Sequence, residues 1–201
     1  MPSRKTAAAK RRKPKYAYQF LVKLADSEPI VWRQIVVPGN MTLADLDRVI
    51  QAAMGWTNSH LHMFTIEGLV YGVPDEDWVD EMPALPDGEF TLDEVIGTKL
   101  KSFVYEYDLG DSWVHDVKVQ MVMVADEELH SGPMCLAGAN ACPPEDVGGI
   151  HGYEEFLRAV RDPSHEEHAA MLRWWGAPFD PTGFDINSAN RDIRMWLLTG
   201  E

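Results

Sequence analysis

From Trp113 to Met123 the chain repeats with a period of two. Trp113, His115, Val117, Val119, Met121 and Met123 alternate with Val114, Asp116, Lys118, Gln120 and Val122. This is the period of a strand and not of a helix. A strand this long with one largely apolar face needs a sheet around it and a layer of structure over that face. The segment just upstream overlaps it. Tyr105 to Val117 reads YEYDLGDSWVHDV and crowds Glu106, Asp108, Asp111, His115 and Asp116 among Tyr105, Tyr107 and Trp113. Buried carboxylates and imidazoles are costly unless they are paired or hold an ion. The segment therefore marks a candidate site without naming a reaction.

The rest of the chain supplies the partners. Tyr16 to Leu24 reads as a strand, with Tyr18, Phe20 and Val22 alternating against Gln19, Leu21 and Lys23. Ile30 to Val37 reads as a second, bounded by Pro29 and Pro38-Gly39. Thr42 opens a helix with Asp45 in its first turn, Leu43, Leu46, Val49, Ile50 and Ala53 form its apolar stripe, and Gly55 ends it. His60 to Ile66 is a third strand, and Pro74, Pro83 and Pro86 mark an acidic excursion. Thr91 to Ile96 is a short helix with Thr91 and Glu94 at capping-box spacing. A hairpin of Lys101–Tyr107 and Ser112–Val124 follows, then mostly loop from 125 to 150. Three C-terminal helices are expected: Tyr153 to Val160, a second capped by Ser164 and running to Trp175, and a third opened by Asn187 or Ser188. His165-Glu-Glu-His168 lacks the spacing of a zinc-protease helix and reads as part of the cap. The pattern is an α+β fold: an antiparallel or mixed sheet, an N-terminal strand–strand–helix unit, and helices grouped toward the C-terminus. Residues 16–201 form one domain behind a disordered basic tail, residues 1–15.

Charge divides the chain in the same place. Residues 1–15 hold Arg4, Lys5, Lys10, Arg11, Arg12, Lys13 and Lys15 and no acid, so the remainder has 11 basic against 32 acidic residues, a net charge of −21. Such a body repels nucleic acid and anionic membranes, whereas the tail attracts them; the tail is the one candidate for nucleic-acid contact. No stretch approaches the roughly 20 apolar residues of a membrane span, and no apolar signal core follows the N-terminal charges. With only Cys135 and Cys142 there is no disulfide scaffold, and the cytoplasm is the expected location.

Several residues carry candidate chemistry. If Tyr107 pairs with Trp113, a five-residue loop holds Asp108 and Asp111, and His115 faces Tyr105. If Asp108 pairs with Asp111, then Glu106, Asp108, Asp111, Trp113 and His115 share one face fit for a hard metal or acid–base work. Against the second register, Leu109-Gly110 is a poor two-residue turn, and aspartates at such positions commonly bond nearby backbone amides. His115 lies on the apolar face and needs a partner at each ring nitrogen. His60 and His62, two apart on a strand, could share one metal. In CPPEDVGG, residues 142–149, two prolines stiffen a loop that carries Glu145 and Asp146. The plain alternatives are a turn, a satisfied core histidine and a linker.

Four stretches carry a resemblance. WRQIVVPGNMTLADLDRVIQAAMGWTNSHLHMF, YDLGDSWVHDV, CLAGANACPPEDVGGIHGYEEFL and DPSHEEHAAMLRWWGAPFDPTGFD together resemble the plasmid pRiA4b ORF-3-like family over about residues 16–190. The resemblance implies a single α+β fold without established biochemistry. Family members are often labelled insertion-element passengers or resolvase-like, but no resolvase catalytic pattern is recognisable here. The family's recurring polar positions fall on His60, Asp108, Asp111, His115, Glu145 and Asp146. Val147 stands where some relatives carry a cysteine. Three functions follow as expectations. One is a cytosolic binding protein associated with plasmids or mobile elements, with a polar groove at the 105–117 hairpin and the 142–149 loop and a polar site of His60, Asp108, Asp111, Trp113, His115, Glu145 and Asp146. Another is a metal-dependent enzyme of hydrolytic type, with a divalent metal, or the acid–base groups, on Asp108, Asp111, His115 and Glu145. The third is an interaction module whose tryptophans dock a partner and whose tail contacts nucleic acid.

Overall fold

The computed structural model of the protein describes residues 13–73, 84–125 and 132–199. Strands β1 (Tyr16–Leu24) and β2 (Trp32–Pro38) form an antiparallel hairpin and lead into helix α1 (Leu43–Met54). The Thr42 hydroxyl accepts from the Asp45 amide while the Asp45 carboxylate accepts from the Thr42 amide, and Gly55 closes the helix at φ 102°. Strands β3 (His62–Ile66) and β4 (Leu69–Gly72) turn through Glu67 and Gly68, both at positive φ, as a two-residue hairpin requires. The two-residue β5 (Leu85–Pro86) and the short α2 (Leu92–Val95) follow. Then come β6 (Ser102–Tyr107), β7 (Trp113–Val124), β8 (Met134–Ala139), α3 (Gly149–Arg161), α4 (His168–Trp175) and α5 (Ile186–Thr199). The eight strands make one sheet in the order β5-β4-β3-β6-β7-β1-β2-β8, antiparallel except for the β4–β5 pair. With helices gathered toward the C-terminus, the fold is α+β.

Alternation decides which face is covered. Tyr18, Phe20, Val22 and Leu24 of β1, Phe103, Tyr105 and Tyr107 of β6, and Trp113, His115 and Val117 of β7 are all buried. The apolar residues among them join Leu43, Leu46, Val49, Ile50 and Ala53 of α1 in one cluster. The intervening Asp116, Lys118 and Gln120 are exposed, and the Gln120 side chain accepts from Gln19 on the neighbouring β1 and from Gln34 on β2, one strand further.

Several elements depart from the sequence expectation. β3 begins at His62, which leaves His60 outside the strand, and β4 and β5 lie where no strand was expected. β8 lies within the stretch read as loop: MCLAGA is short and rich in small residues, and it gains its partners only by pairing with the outer edge of β2. α3 begins at Gly149, four residues early, for a reason that lies in the site below. α4 begins at His168 rather than after Ser164, because Ser164 gives both its amide and its hydroxyl to Asp162. The acidic excursion at 74–83 and the tail through residue 12 lie outside the described residues.

Candidate functional site

Three segments distant in sequence meet at one end of the sheet: the stretch after α1, the β6–β7 turn, and the loop before α3. Trp56, just past the Gly55 cap, donates its indole N–H to the Pro143 carbonyl and stacks on Tyr107 at 4.8 Å between ring centroids. Tyr107, the last residue of β6, donates its hydroxyl to Glu145 Oε1 at 2.6 Å and accepts from the Ser59 amide. Burial, then the Glu145 carboxylate, raises the Tyr107 pKa above its ordinary value, so the phenol stays a donor. Tyr107 thus ties all three segments together.

The turn itself is settled by register. Tyr107 pairs with Trp113 and Tyr105 with His115, leaving Asp108 to Ser112 as the five-residue loop. Asp108 takes φ 54°, and its Oδ1 accepts from the amides of Gly110 and Asp111 at 3.0 and 3.2 Å. The other oxygen, Oδ2, lies 3.5 Å from His60 Nε2, and Asp146 Oδ1 lies 3.1 Å from the same nitrogen. Neither contact has hydrogen-bond alignment: His60 Nε2 is a buried atom with no partner of that kind among the described residues. Asp146 is also at positive φ, 59°. Two aspartates in a backbone conformation unusual for non-glycine residues thus aim at one imidazole nitrogen. Among the described residues, His60, Asp108 and Asp146 are the group whose ligand atoms, all within 4.8 Å of one another, could hold one ion. Ligands about 2.1 Å from a common cation stand roughly 3 Å or a little more apart, which matches the separations of 3.1 and 3.5 Å from His60 Nε2.

The expected ligand set of Asp108, Asp111, His115 and Glu145 is not brought together. Asp111 turns the other way, and its Oδ2 accepts from the Gly148 amide at 3.0 Å. Gly148 is the residue before α3, which has no side-chain cap of its own, so Asp111 caps that helix across 37 residues of sequence. This is why α3 starts so early. Glu145 is taken up by Tyr107 and by the amide and hydroxyl of Thr57. Trp113 and His115 are fully buried in the core. His115 meets Tyr105 and the edge of Trp56 at centroid distances of 5.3 and 5.4 Å. Burial brings its pKa down to about 4, the backbone of Tyr105 and Trp113 opposing only in part. It is a neutral imidazole at ordinary pH. Both thiols are free, and burial pushes Cys142 up to about 12.

His62 does not share a ligand with His60. It lies between two acids, with Nε2 2.7 Å from Asp87 Oδ2 and Nδ1 3.3 Å from Asp47 Oδ1. Asp47 also accepts from the Tyr105 hydroxyl at 2.6 Å and from Gln51. Burial lowers the His62 pKa, but Asp87 and Asp47 outweigh it and the net direction is upward; burial raises that of Asp47. This array lines a cavity of about 500 Å³ that also touches Ser59 and His60. Asp47, Asp87, Trp56 and Thr57 went unread as site residues. Asp47 sits in a helix whose stripe drew attention to its apolar side, and Asp87 sits in a proline-bounded turn. The one sequence signal was the polar run Thr57-Asn-Ser-His60, separated from the Gly55 cap by Trp56 alone.

Residues 16–188 match the family described as plasmid pRiA4b ORF-3-like protein. Over 173 residues, 86% of this chain and 88% of its relative, the sequence is 43% identical to the uncharacterized protein y4hQ of Sinorhizobium fredii. The fold is similar to the crystal structure of MM3350, a protein of unknown function from Methanosarcina mazei Go1, with a TM-score of 0.77 and 33% identity over 87% of this chain and 97% of that one. The family match runs from the first strand into the last helix and takes in the hairpin turn, the 142–149 loop and His60. On that extent of agreement, the chain belongs to the plasmid pRiA4b ORF-3-like family.

Proposed function

We propose that this chain is a cytosolic binding protein, associated with plasmids or mobile elements, that takes a divalent cation on His60, Asp108 and Asp146 in the polar groove between the 105–117 hairpin and the 142–149 loop. One observation carries the reading: the buried, unpartnered His60 Nε2 faced by two left-handed aspartates. One imidazole and two carboxylates favour a borderline or hard divalent ion such as zinc or manganese over a soft one. The plasmid in the family's name supports the link to mobile DNA.

Metal analysis and calorimetry on protein purified without a histidine tag test it. About one equivalent of divalent ion is expected to bind, and saturation should raise Tm by roughly 5 °C. His60→Ala should abolish both effects. No bound metal and no thermal shift with any divalent ion would sink the reading. A second reading, a metal-dependent hydrolytic enzyme, draws support from the ligand count: three protein ligands leave a coordination position for water, as in catalytic zinc sites. Metal-dependent turnover of activated ester or phosphodiester substrates, lost in His60→Ala, would distinguish it from simple binding.

A further inference from the structure

A cleft of about 620 Å³ is lined by Trp56 and by residues from the end of α1, the 141–145 loop, α4 and α5. Its walls include Trp56, Trp174, Trp175, Glu145, Asp185 and Asp192. Trp174 and Trp175 are 49% and 43% exposed, although their edges rest on Phe156 and Phe179. Two half-exposed indoles in one concavity are costly in water and suit a partner.

The cleft has the charge pattern of a cation receptor. Glu145, Asp185 and Asp192 contribute three carboxylates. Two cations oppose them: Arg33, itself in the cleft wall, is buried and bonded to the carbonyls of Ala53, Trp32, Ala139 and Asn140, and Arg191 pairs with Asp192 at 3.4 Å. The C-terminal end of α1 opens into the same space, where its Ala53 carbonyl accepts from Arg33 Nε. Indole faces attract cations as well.

We propose that this cleft is the docking site of the chain's own basic N-terminal segment, residues 1–12, with a lysine or arginine seated against Trp174 and Trp175 among the three carboxylates. The segment holds Arg4, Lys5, Lys10, Arg11 and Arg12 and no acid, against a body of net charge −21. It can also reach. The Lys15 amide bonds Asp93, and the Tyr16 carbonyl accepts from the Gly39 amide, so the described chain starts beside the approach to α1. The cleft lies at the other end of that 12-residue helix, about 18 Å away along its axis, whereas twelve extended residues span up to about 40 Å. Glu145 lines the cleft and directly precedes Asp146 of the cation site, but the docking requires no bound metal.

Zero-length carbodiimide cross-linking of the full chain, mapped by mass spectrometry, is the test. At low ionic strength Lys5 and Lys10 are expected to couple mainly to Glu145, Asp185 or Asp192. Mixtures of isotopically labelled and unlabelled protein should show that the links are within one chain. Raising the salt to about 0.5 M should reduce their yield about tenfold. The double variant Arg11→Glu/Arg12→Glu, which leaves Lys10 to react and alters no described residue, should do the same. Trp174→Ala should weaken the coupling while circular dichroism stays unchanged. Links spread over the body's acids in proportion to exposure, links chiefly between chains, or a yield indifferent to the charge reversal would each overturn the proposal.

Discussion

At the scale of single residues, His115 and Asp146 show opposite uses of a polar side chain. His115 is held neutral in the core, beside Tyr105, Trp56 and the buried Arg33, with neither ring nitrogen hydrogen-bonded among the described residues. Its folded pKa of about 4 lies below the ordinary 6.5. The unfolded chain therefore takes up this proton first as the pH falls. The associated stability is complete above pH 6.5 and declines by roughly 3 kcal/mol on the way to pH 4. Urea titrations across that range are expected to show His115→Leu losing less stability than the parent by about this amount. Asp146, in contrast, has a backbone that glycine adopts without strain and an exposed side chain. Asp146→Gly should leave stability within about 1 kcal/mol of the parent while weakening the cation affinity about tenfold by calorimetry. A parallel loss of both would make the residue structural.

Among the elements, two joints rest on side chains that act far from their own segment. Asp111 caps α3, and Gly149 lets the two segments touch: a Cβ there would stand 2.6 Å from the Asp111 carbonyl oxygen, at φ 66°. Asp111→Ala should cost about 1 kcal/mol, and Gly149→Ala more, because it adds a clash and a strained backbone to the lost cap. Thermal melts that rank them the other way would contradict this account. At the sheet edge, Asn190 of α5 offers its carbonyl to the Cys135 amide and its amide to the Cys135 carbonyl, both at 2.9 Å. It occupies the place a further strand would take. Asn190→Ala should destabilise by about 1–2 kcal/mol and promote association through β8, visible in light scattering on mild heating. Neither joint was legible in advance, since each links residues 37 or more apart. The caps of α1 and α2 were, because a capping box lies within four consecutive residues.

For the whole molecule, the separation of charge governs association. A body of −21 repels phosphates. Nucleic-acid binding measured at low salt is therefore expected to disappear when residues 1–15 are removed and to fall steeply with salt when they are present. Binding that survives the deletion would place it on the body. Among the described residues no helix is long and apolar enough to cross a membrane.

The sequence alone determined the elements whose signals are local: the alternation of β1 and β7, the capped α1 and α2, and the α+β grouping. It also drew attention to the hairpin turn, His60 and the 142–149 loop. Only the tertiary structure decided which of those polar residues meet. In a left-handed turn a carboxylate can bond its own backbone or reach across to another segment, and nothing within the turn selects between these. Asp108 does both, Asp111 went to a helix end, and His115 went to the core. The loop before α3, brought in through Tyr107 and Trp56, set Asp146 opposite His60.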